Sequence, residues 1–521
     1  TLIVPGHLDT DAWARVVAAI RDSFGAEGVT ESIGNSRRWS NQKTVVTAEP
    51  AGDDTLVHVK LDRSGVTKGM GYTSFALGGT ATVLATIALL VGNENDVLFA
   101  AAVLAGQGIA KEGKLPEKFV FQGLKEVVMH EVGHTLGLRH NFKASAWKDL
   151  EAIEDPDADP NTPTVGSVMD YNPANIAPPG KKQGLYFPQT IGPYDMWAIE
   201  WGYTFDDPKK VATQAADPDH WFMSDEANST PDPTAKTWLI GRNSIDQAEA
   251  DIVWANHMRD RIVDKIVEDG DSWSKARTAY NKTLWKQSSA NGKAAHWIGG
   301  AYVNRFHKGD ENAPDPVRPV ELDQQRRALQ FIIDNAFDES SYGLTPELLS
   351  KLGADRWFDS GWGSEADLPV QDTILGVQSS ALTQIMNPMR LRRIMDNEVR
   401  VPAGEEALTV PEVLVALRDA IWGESDSSTT RYTARAPMIS PFDRNLQREH
   451  VDRLISLATG RSWGSASGRT MASLARQELR DIRTWINEAS SVEMDEYSRA
   501  HLADAKERID RALEAGYVRR D

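Results

Sequence analysis

The stretch MHEVGHTLGLRHNF, residues 129–142, places three histidines at intervals of four and six residues. Residues four apart lie about 40° apart on one face of an α-helix, so His130 and His134 can point their rings at the same ion. Gly137 can adopt a positive φ, which ends the helix and turns the chain. That turn allows His140 to supply a third ligand. The pattern therefore predicts a metal site at the end of a helix.

Three protein ligands are typical of a catalytic zinc, because they leave a fourth position open for water or substrate. Glu131 directly follows the first histidine, where it can act as a general base toward that water. In a chain with 11 histidines, chance produces this five-residue pattern with a frequency on the order of 10⁻⁵. We therefore expect a hydrolase with one catalytic Zn²⁺, held by His130, His134 and His140.

Two stretches downstream support this prediction. They are GSVMDY at residues 166–171 and GPYDMWAIEWGY at residues 192–203. Together with the histidine motif they resemble the metzincin zinc metalloproteases, which carry an extended HExxHxxGxxH motif and a Met-turn. They are most similar to a group of large bacterial zinc-dependent metalloproteases with a long uncharacterised C-terminal region. By this resemblance, Met169 is the Met-turn residue and forms an apolar floor below the zinc.

The resemblance also implies a role for Tyr171, two residues after Met169. In astacin-like and serralysin-like metzincins, a tyrosine at this position reaches the zinc in the resting enzyme and swings away when substrate binds. The alternative is a tyrosine that only packs beneath the turn. Asn141, which follows the third histidine, departs from the Glu, Asp, Ser or Pro of the well-known subfamilies. Subfamily membership therefore predicts no cleavage specificity here.

The fold implied by the resemblance is an α+β zinc peptidase domain over residues 1–205, with a small mixed sheet, an active-site helix and the Met-turn. A mostly α-helical region, residues 206–521, is expected to pack on it. The expected activity is that of a metalloendopeptidase whose protein or peptide substrate lies extended across the cleft, against an edge strand of the sheet. The resemblance further implies an exported protein, periplasmic or extracellular.

Two other functions remain open. One is a metzincin-like scaffold that binds zinc and acts as a binding module without turnover. The intact Glu131 argues against it, since a degenerate site usually loses its base first. The other is hydrolysis of a non-peptide amide at the same zinc.

Composition excludes further classes. The chain of 521 residues has no cysteine, which rules out disulfides, thiolate ligands, a cysteine nucleophile and a cysteine-switch propeptide. Its net charge of −18 disfavours nucleic acid and anionic membranes as partners. The apolar runs at 75–91 and 97–110 fall short of the about 20 residues of a membrane span, so they predict buried core helices. Nothing in the pattern predicts an oligomeric state.

Two further groups of residues carry weaker indications of a metal site. The acidic run EAIEDPDAD, residues 151–159, could bind a structural Ca²⁺, although a solvated loop is the simpler interpretation because no EF-hand pattern is present. His296 and His307 could line a cleft or a second metal site, but ordinary core or surface histidines are more common.

Periodicity predicts the remaining elements. Strands are expected at 44–48 and 55–61, and a helix that leads into the zinc motif at 117–136. The other predicted helices cover residues 9–24, 195–201, 245–267, 319–336, 345–352, 372–397, 410–421 and two segments after about 468.

Overall fold

The computed structural model describes residues 116–311, 313–354, 365–423, 431–459 and 465–515, together with the backbone of five strands before residue 62. The helices predicted at 9–24, 75–91 and 97–110 lie outside these residues. The chain forms two compact units, Thr1–Ala76 and Leu77–Asp521. Within the described ranges, no helix combines the length and apolar character needed to cross a membrane.

The first unit contains a five-stranded sheet in the order β1-β5-β4-β3-β2. Its strands are β1 (Leu2–Pro5), β2 (Val29–Ile33), β3 (Ser36–Ser40), β4 (Thr44–Ala51) and β5 (Asp54–Leu61). The strands predicted at 44–48 and 55–61 are confirmed within β4 and β5. The expectation of a mixed sheet was wrong, because every pair among these strands is antiparallel. Parallel pairs need crossovers of a dozen or more residues, whereas two residues connect β2 to β3 and β4 to β5.

Helix α1 (Glu117–Thr135) confirms the helix predicted to lead into the zinc motif. It begins after Pro116, whose fixed φ suits a helix start. Its packed face is made of Phe119, Gln122, Gly123, Glu126, Val127, His130 and Gly133. The apolar series Val128, Val132 and Leu136 lies on the other side and is exposed. The packed face of α1 is therefore mostly polar residues and glycine, with Phe119 and Val127 as its apolar members.

Mostly irregular chain follows as far as residue 192, with one short helix, α2 (Leu150–Ile153). Helix α3 (Pro193–Tyr203) confirms the helix predicted at 195–201, and α4 (Pro208–Ala212) comes soon after it. Proline in the first turn of both helices pre-sets the backbone for their start.

The chain after residue 205 is mostly helical, as predicted. Its elements are α5 (Ser244–Arg259), α6 (Ser274–Ala295), β6 (Ala301–Val303), β7 (Val317–Pro319), α7 (Leu322–Ile332), α8 (Pro346–Leu349), α9 (Val370–Ile385), α10 (Pro388–Glu398), α11 (Val410–Trp422), α12 (Pro441–Thr459), α13 (Ala466–Ala489) and α14 (Glu496–Glu514). One large apolar core joins most of these helices through side chains such as Ile332, Leu382, Leu417, Leu454 and Ile482. Strands β6 and β7 pair antiparallel.

Four predicted helices are shorter than expected, and the one predicted at 345–352 is the four-residue α8 (Pro346–Leu349). The helix predicted at 372–397 is two helices, because Asn387 and Pro388 interrupt it. Pro388 has no N–H to donate, and the Asn387 side chain caps the new helix by accepting from the backbone of Met389 at 2.9 Å. The helices predicted at 245–267 and 319–336 each end early and continue into a π-helical turn, Ile262–Ile266 and Ile333–Phe337 respectively.

Helices α6 and α12 were not predicted. The interior face of α6 carries small and polar residues, so it lacks the apolar stripe that periodicity detects. Lys286 and Lys293 on α6 are buried, and both pair with the buried Asp251 of α5, at 2.9 and 2.5 Å. Burial of this helix therefore depends on ion pairs with a neighbouring helix, which the local sequence pattern does not predict.

The domain boundary expected near residue 205 remains a prediction. Residues on both sides of it belong to the same compact unit. Lys143 and Asp232 form a buried ion pair across it, with Nζ and Oδ2 2.7 Å apart. The Trp254 indole donates to the carbonyl of Ile176, at 3.3 Å. The helical region therefore contacts the polypeptide that follows the zinc motif.

Candidate active site

The end of helix α1 brings the first two histidines of the motif to one side. Gly137 has a φ of +90°, a left-handed conformation that glycine adopts without strain. The Leu138 N–H donates to the carbonyl of Gly133, and the Gly137 N–H donates to that of His134, both at 3.0 Å. These two bonds are the Schellman arrangement that reverses a chain at a helix end. His140 lies just after the turn, back beside the helix.

His130, His134 and His140 each offer one ring nitrogen, and these atoms lie within 4.8 Å of one another. In each ring, the Nδ1 atom has a hydrogen-bond partner elsewhere. The acceptors are the carbonyls of Val168 (2.8 Å) and Leu138 (2.9 Å) for the two helix histidines, and Asp225 Oδ1 (2.9 Å) for His140. A ring that donates from Nδ1 keeps Nε2 free as a ligand, so all three rings are fixed in the same useful tautomer.

The charge state of His130 also suits a metal. Burial, together with the neighbouring histidines, lowers the pKa of His130 to about 4, so this ring is neutral at pH 7. A histidine must be neutral to bind a metal ion. Three imidazole nitrogens with no thiolate fit zinc in an open, catalytic geometry.

Met169 packs directly beneath the helix that carries the histidines. Its side chain is completely buried. A Cβ atom on Gly133 would lie only 2.3 Å from the Met169 sulfur, so glycine between the two helix histidines is what allows the methionine to approach. The residue predicted to form the floor of the metal site therefore lies in contact with the helix that bears it.

The turn before Met169 is held by Asp195 of α3. One carboxylate oxygen accepts from the backbone N–H of Val168 at 2.9 Å and from that of Gly192 at 2.8 Å. The other accepts from the Ser167 hydroxyl at 2.5 Å. The stretch at residues 192–203, the third that resembles the metzincins, thus positions the second, at residues 166–171.

Tyr171 lies against the histidine cluster. Its hydroxyl is 2.7 Å from Nε2 of His140, the atom that would face a metal. Its ring stacks on Trp238, with centroids 5.3 Å apart. Partial burial raises the pKa of Tyr171, and the charges of Glu131 and Asp225 raise it further, so the phenol is protonated at neutral pH. The hydroxyl can therefore donate a hydrogen bond.

Glu131 occupies the exposed side of α1. Its charge contributes to the raised pKa of Tyr171, so the carboxylate lies within electrostatic range of the phenol. A carboxylate and a hydroxyl flanking one metal position can move a proton and donate a hydrogen bond, respectively.

Two buried carboxyl groups lie behind the site. Burial raises the pKa of Glu126 to about 8, and raises that of Asp170 to about 7. Glu126 Oε1 accepts from the Asn172 amide at 3.1 Å, while its Oε2 atom has no hydrogen-bond partner. Glu126 is one helical turn before His130, on the buried face, and is therefore a structural group that lies away from the open side of the site.

The loop at residues 221–238 completes the site, and sequence reasoning did not find it. Asn141 is completely buried and donates from its side chain to the carbonyl of Trp221, at 3.0 Å. Its side-chain oxygen accepts from the backbone N–H of Met223, at 3.2 Å. The residue that departs from the familiar subfamilies therefore anchors this loop. Trp238 is the non-glycine residue with a positive φ, 64°, in the described chain.

A cavity of about 960 Å³ lies next to the turn after α1. Its wall includes Leu138 and Arg139 of the turn and several aromatic rings, Trp197, Trp201, Trp221 and Tyr302 among them. None of the three histidines lines it. It is a neighbour of the histidine cluster and not the metal position itself.

The structure does not support the alternative that residues 151–159 bind calcium, and the simpler interpretation of a solvated loop stands. Among the described residues, the three histidines form the one group of three or more potential ligands close enough to share a metal. Asp155 and Asp159 instead accept from backbone N–H groups two residues further on, at 2.9 Å each, and Asp157 pairs with Lys182. These carboxylates stabilise local turns.

His296 and His307 form no second metal site in the described ranges. His307 is almost fully exposed and lies 3.8 Å from Asp310. Burial lowers the pKa of His296 to about 3, helped by the nearby cations Arg390, Lys236 and Arg393. The simpler interpretation, one surface and one internal histidine, agrees with these positions.

Three histidines converge after a helix end, with a glutamate next to the first and a buried methionine beneath. This arrangement is typical of metal-dependent hydrolases. Residues 112–429, more than half of the chain, match the family described as Met-zincin. The chain belongs to this family, and membership indicates a zinc-dependent metallopeptidase. No curated protein and no solved structure matches the chain.

Proposed function

We propose that this chain is a zinc-dependent endopeptidase whose ligands are His130, His134 and His140 and whose general base is Glu131. One observation carries the proposal: three histidine nitrogens converge within 4.8 Å at the end of one helix, with the glutamate at the adjacent position. Membership of the Met-zincin family supports it independently.

The protein side chains divide the chemistry between them. Bound zinc supplies a Lewis acid that polarises the scissile carbonyl and makes water acidic near neutral pH. Glu131 accepts the proton of the attacking water and passes it to the leaving amine nitrogen. Met169 supports the metal position from below as the Met-turn residue. The solvent-exposed side of the site, where Glu131 lies, receives the peptide.

Tyr171 has two positions in this proposal. In the resting protein its hydroxyl bonds to Nε2 of His140, 2.7 Å away. When substrate binds, the phenol moves aside and donates its hydrogen bond to the oxyanion that forms from the peptide carbonyl. Protonation of the phenol at neutral pH, which follows from its raised pKa, is what this donor role needs.

Peptide hydrolysis tests the proposal. The purified protein should cleave casein or a quenched peptide library, lose this activity with a chelator and regain it with zinc. Native mass spectrometry should find one zinc per chain and none in His134→Ala. Glu131→Ala should keep its zinc and lose about 10²–10⁴-fold in rate, the usual contribution of a general base.

The same assays separate the two alternatives. A zinc-loaded protein that cleaves no peptide and no amide would be a binding scaffold. A protein that hydrolyses small non-peptide amides while leaving every peptide intact would be an amidohydrolase. Retention of the buried Met169 and the exposed Glu131 favours a site that turns over.

We also propose that the enzyme is exported, periplasmic or extracellular, as the bacterial metalloproteases it resembles imply. Fractionation of cells that produce the protein, followed by the peptide assay on each fraction, tests this. Activity confined to the cytoplasmic fraction would contradict it.

A further inference from the structure

The three histidines differ in what holds their Nδ1 atoms. His130 and His134 donate to backbone carbonyls, those of Val168 and Leu138. His140 instead donates to a carboxylate, Asp225 Oδ1, at 2.9 Å. In the part of the chain that the structure describes, Asp225 is the only carboxylate bonded to one of the three rings. It comes 85 residues after its partner.

Asp225 begins a short 3₁₀ turn, Asp225–Ser229. Its second oxygen, Oδ2, lies 2.7 Å from the Arg139 guanidinium. The carboxylate thus binds two adjacent residues, Arg139 and His140, one with each oxygen. A carboxylate that uses both oxygens in this way has little freedom to rotate, although its side chain is about half exposed.

The loop that carries Asp225 is fixed on the same stretch of chain. The backbone N–H of Phe142 donates to the carbonyl of Met223 at 2.8 Å. Asn141 bonds to the loop from its buried side chain. Phe142, Met223 and Ala227 share a small apolar cluster against Tyr171. These contacts hold Asp225 opposite His140 without any help from the Asp225 side chain.

We propose that Asp225 is a positioning residue for the metal ligand His140, an inference that rests on the proposed zinc site. Its carboxylate holds the His140 ring with the proton on Nδ1 and makes Nε2 a stronger ligand. Partners of this kind typically account for 10–100-fold in metal affinity. His140 needs this support most, because it follows a turn and has no helix of its own.

A zinc-affinity measurement tests the proposal without any peptide. Zinc dissociation constants of wild type, Asp225→Ala and Asp225→Asn are measured by competition with a chromophoric chelator. Asp225→Ala should bind zinc about 10–100-fold more weakly. Asp225→Asn keeps an acceptor of the same shape without the charge, so its loss should be smaller, about fivefold, since charge-assisted hydrogen bonds are the stronger ones.

Glu226→Ala is the matched control. Glu226 is the next residue of the same turn, and its carboxylate pairs with Arg305 and accepts from the backbone N–H of Ser224 at 3.4 Å. It should keep wild-type affinity. Arg139→Ala removes the other partner of Asp225 while leaving the bond to His140, and it should also bind zinc nearly normally. The visible spectrum of the Co²⁺-loaded protein should change in Asp225→Ala and stay unchanged in Glu226→Ala.

Two results would overturn the proposal. Equal zinc affinity in Asp225→Ala and Glu226→Ala would leave Asp225 as a surface ion pair. An equal loss in Arg139→Ala and Asp225→Ala would mean that the carboxylate acts on the turn and not through His140. If Asp225→Ala does not fold, Asp225→Asn becomes the deciding variant. Unchanged zinc affinity in Asp225→Asn would then contradict the proposal. Wild-type protein that binds no zinc would instead refute the proposed function.

Discussion

At the scale of single residues, metal binding at this site depends on which ring nitrogen of each histidine already has a hydrogen-bond partner. The Nδ1 atoms of His130, His134 and His140 are all in hydrogen bonds, which leaves Nε2 of each ring for the metal. Tyr171 is the residue whose partner must change, because its hydroxyl now contacts Nε2 of His140. Its contribution should therefore appear in turnover more than in folding.

We expect Tyr171→Phe to keep its zinc and its thermal stability and to lower kcat by about 10²–10³-fold, with a much smaller change in KM. The loss of one oxyanion donor typically has this size. Steady-state kinetics on a quenched peptide, with zinc content measured in parallel, checks it. Tyr203→Phe is the control, because that hydroxyl donates only to the carbonyl of Leu136, at 3.1 Å. An unchanged kcat in Tyr171→Phe would leave Tyr171 with a packing role alone.

Glu126 should make the protein less stable as pH rises. Its pKa in the folded chain is about 8, above the ordinary 4.5, because burial disfavours the charged form. The unfolded chain therefore loses the proton first, and the free energy of unfolding falls between about pH 4.5 and 8, by up to about 1.4 kcal/mol for each pH unit. Below pH 4.5 both states are protonated and this contribution is constant.

Glu126→Gln should remove that slope. The variant keeps the oxygen that accepts from Asn172 and cannot ionise. Urea unfolding at pH 5 and pH 8 should show nearly equal stability of the two proteins at pH 5, and a variant more stable by a few kcal/mol at pH 8. Parallel pH dependence in the two proteins would show that Glu126 does not titrate in this range.

At the scale of elements, the approach of helix α1 (Glu117–Thr135) to the turn at Met169 is set by one glycine. Gly133→Ala should destabilise the protein by about 1–3 kcal/mol, the usual cost of overpacking. The new Cβ would lie 2.3 Å from a sulfur that is completely buried. Zinc affinity should fall as well, because the Met169 side chain must move to make room for the new Cβ, and Met169 itself forms the floor of the site.

Gly376→Ala in α9 (Val370–Ile385) is the matched control. It is also a glycine inside a helix, but nothing lies within 4 Å of its missing Cβ. Alanine should therefore stabilise this helix by roughly 0.5–1 kcal/mol. Thermal unfolding of both variants gives the comparison. Opposite signs are expected, and a Gly133→Ala protein as stable as Gly376→Ala would contradict the close contact.

The elements also show what the sequence could predict. The ligand-bearing helix and its turn were predictable because His130, His134 and Gly137 are local, and local spacing determines their geometry. Asp225 was not, because its place beside His140 depends on contacts between residues 85 apart. Helix α6 (Ser274–Ala295) was missed for a related reason: its buried lysines are compensated by Asp251, which lies on another helix. Patterns of hydrophobicity along the sequence do not predict such ion pairs between helices.

At the scale of the whole molecule, the site draws on chain from both sides of residue 205. Residues 117–203 supply the histidines, Glu131 and Met169. Residues 221–238 supply Asp225 and the Trp238 ring that stacks on Tyr171. The helical region after residue 240 in turn supports that loop: Asp232 accepts from the backbone N–H of Val303 in β6 (Ala301–Val303), at 3.0 Å.

The region after residue 206 should therefore stay bound to the zinc-binding part when the chain is cut between them. Residues 206–215 are mostly exposed and include only the short helix α4 (Pro208–Ala212), so limited proteolysis should nick the chain there. The buried Lys143–Asp232 ion pair and the apolar cluster of Phe142, Met223 and Ala227 remain intact after such a cut. Leaving either charge of that pair buried without its partner would cost several kcal/mol.

We expect the nicked protein to elute as one species in size-exclusion chromatography under native conditions, with its zinc and peptidase activity retained. Separation in denaturant should abolish the activity of both pieces. A freely dissociating N-terminal fragment with full activity would show that residues 206–521 are a separate appendage, and that the loop carrying Asp225 is dispensable for the site.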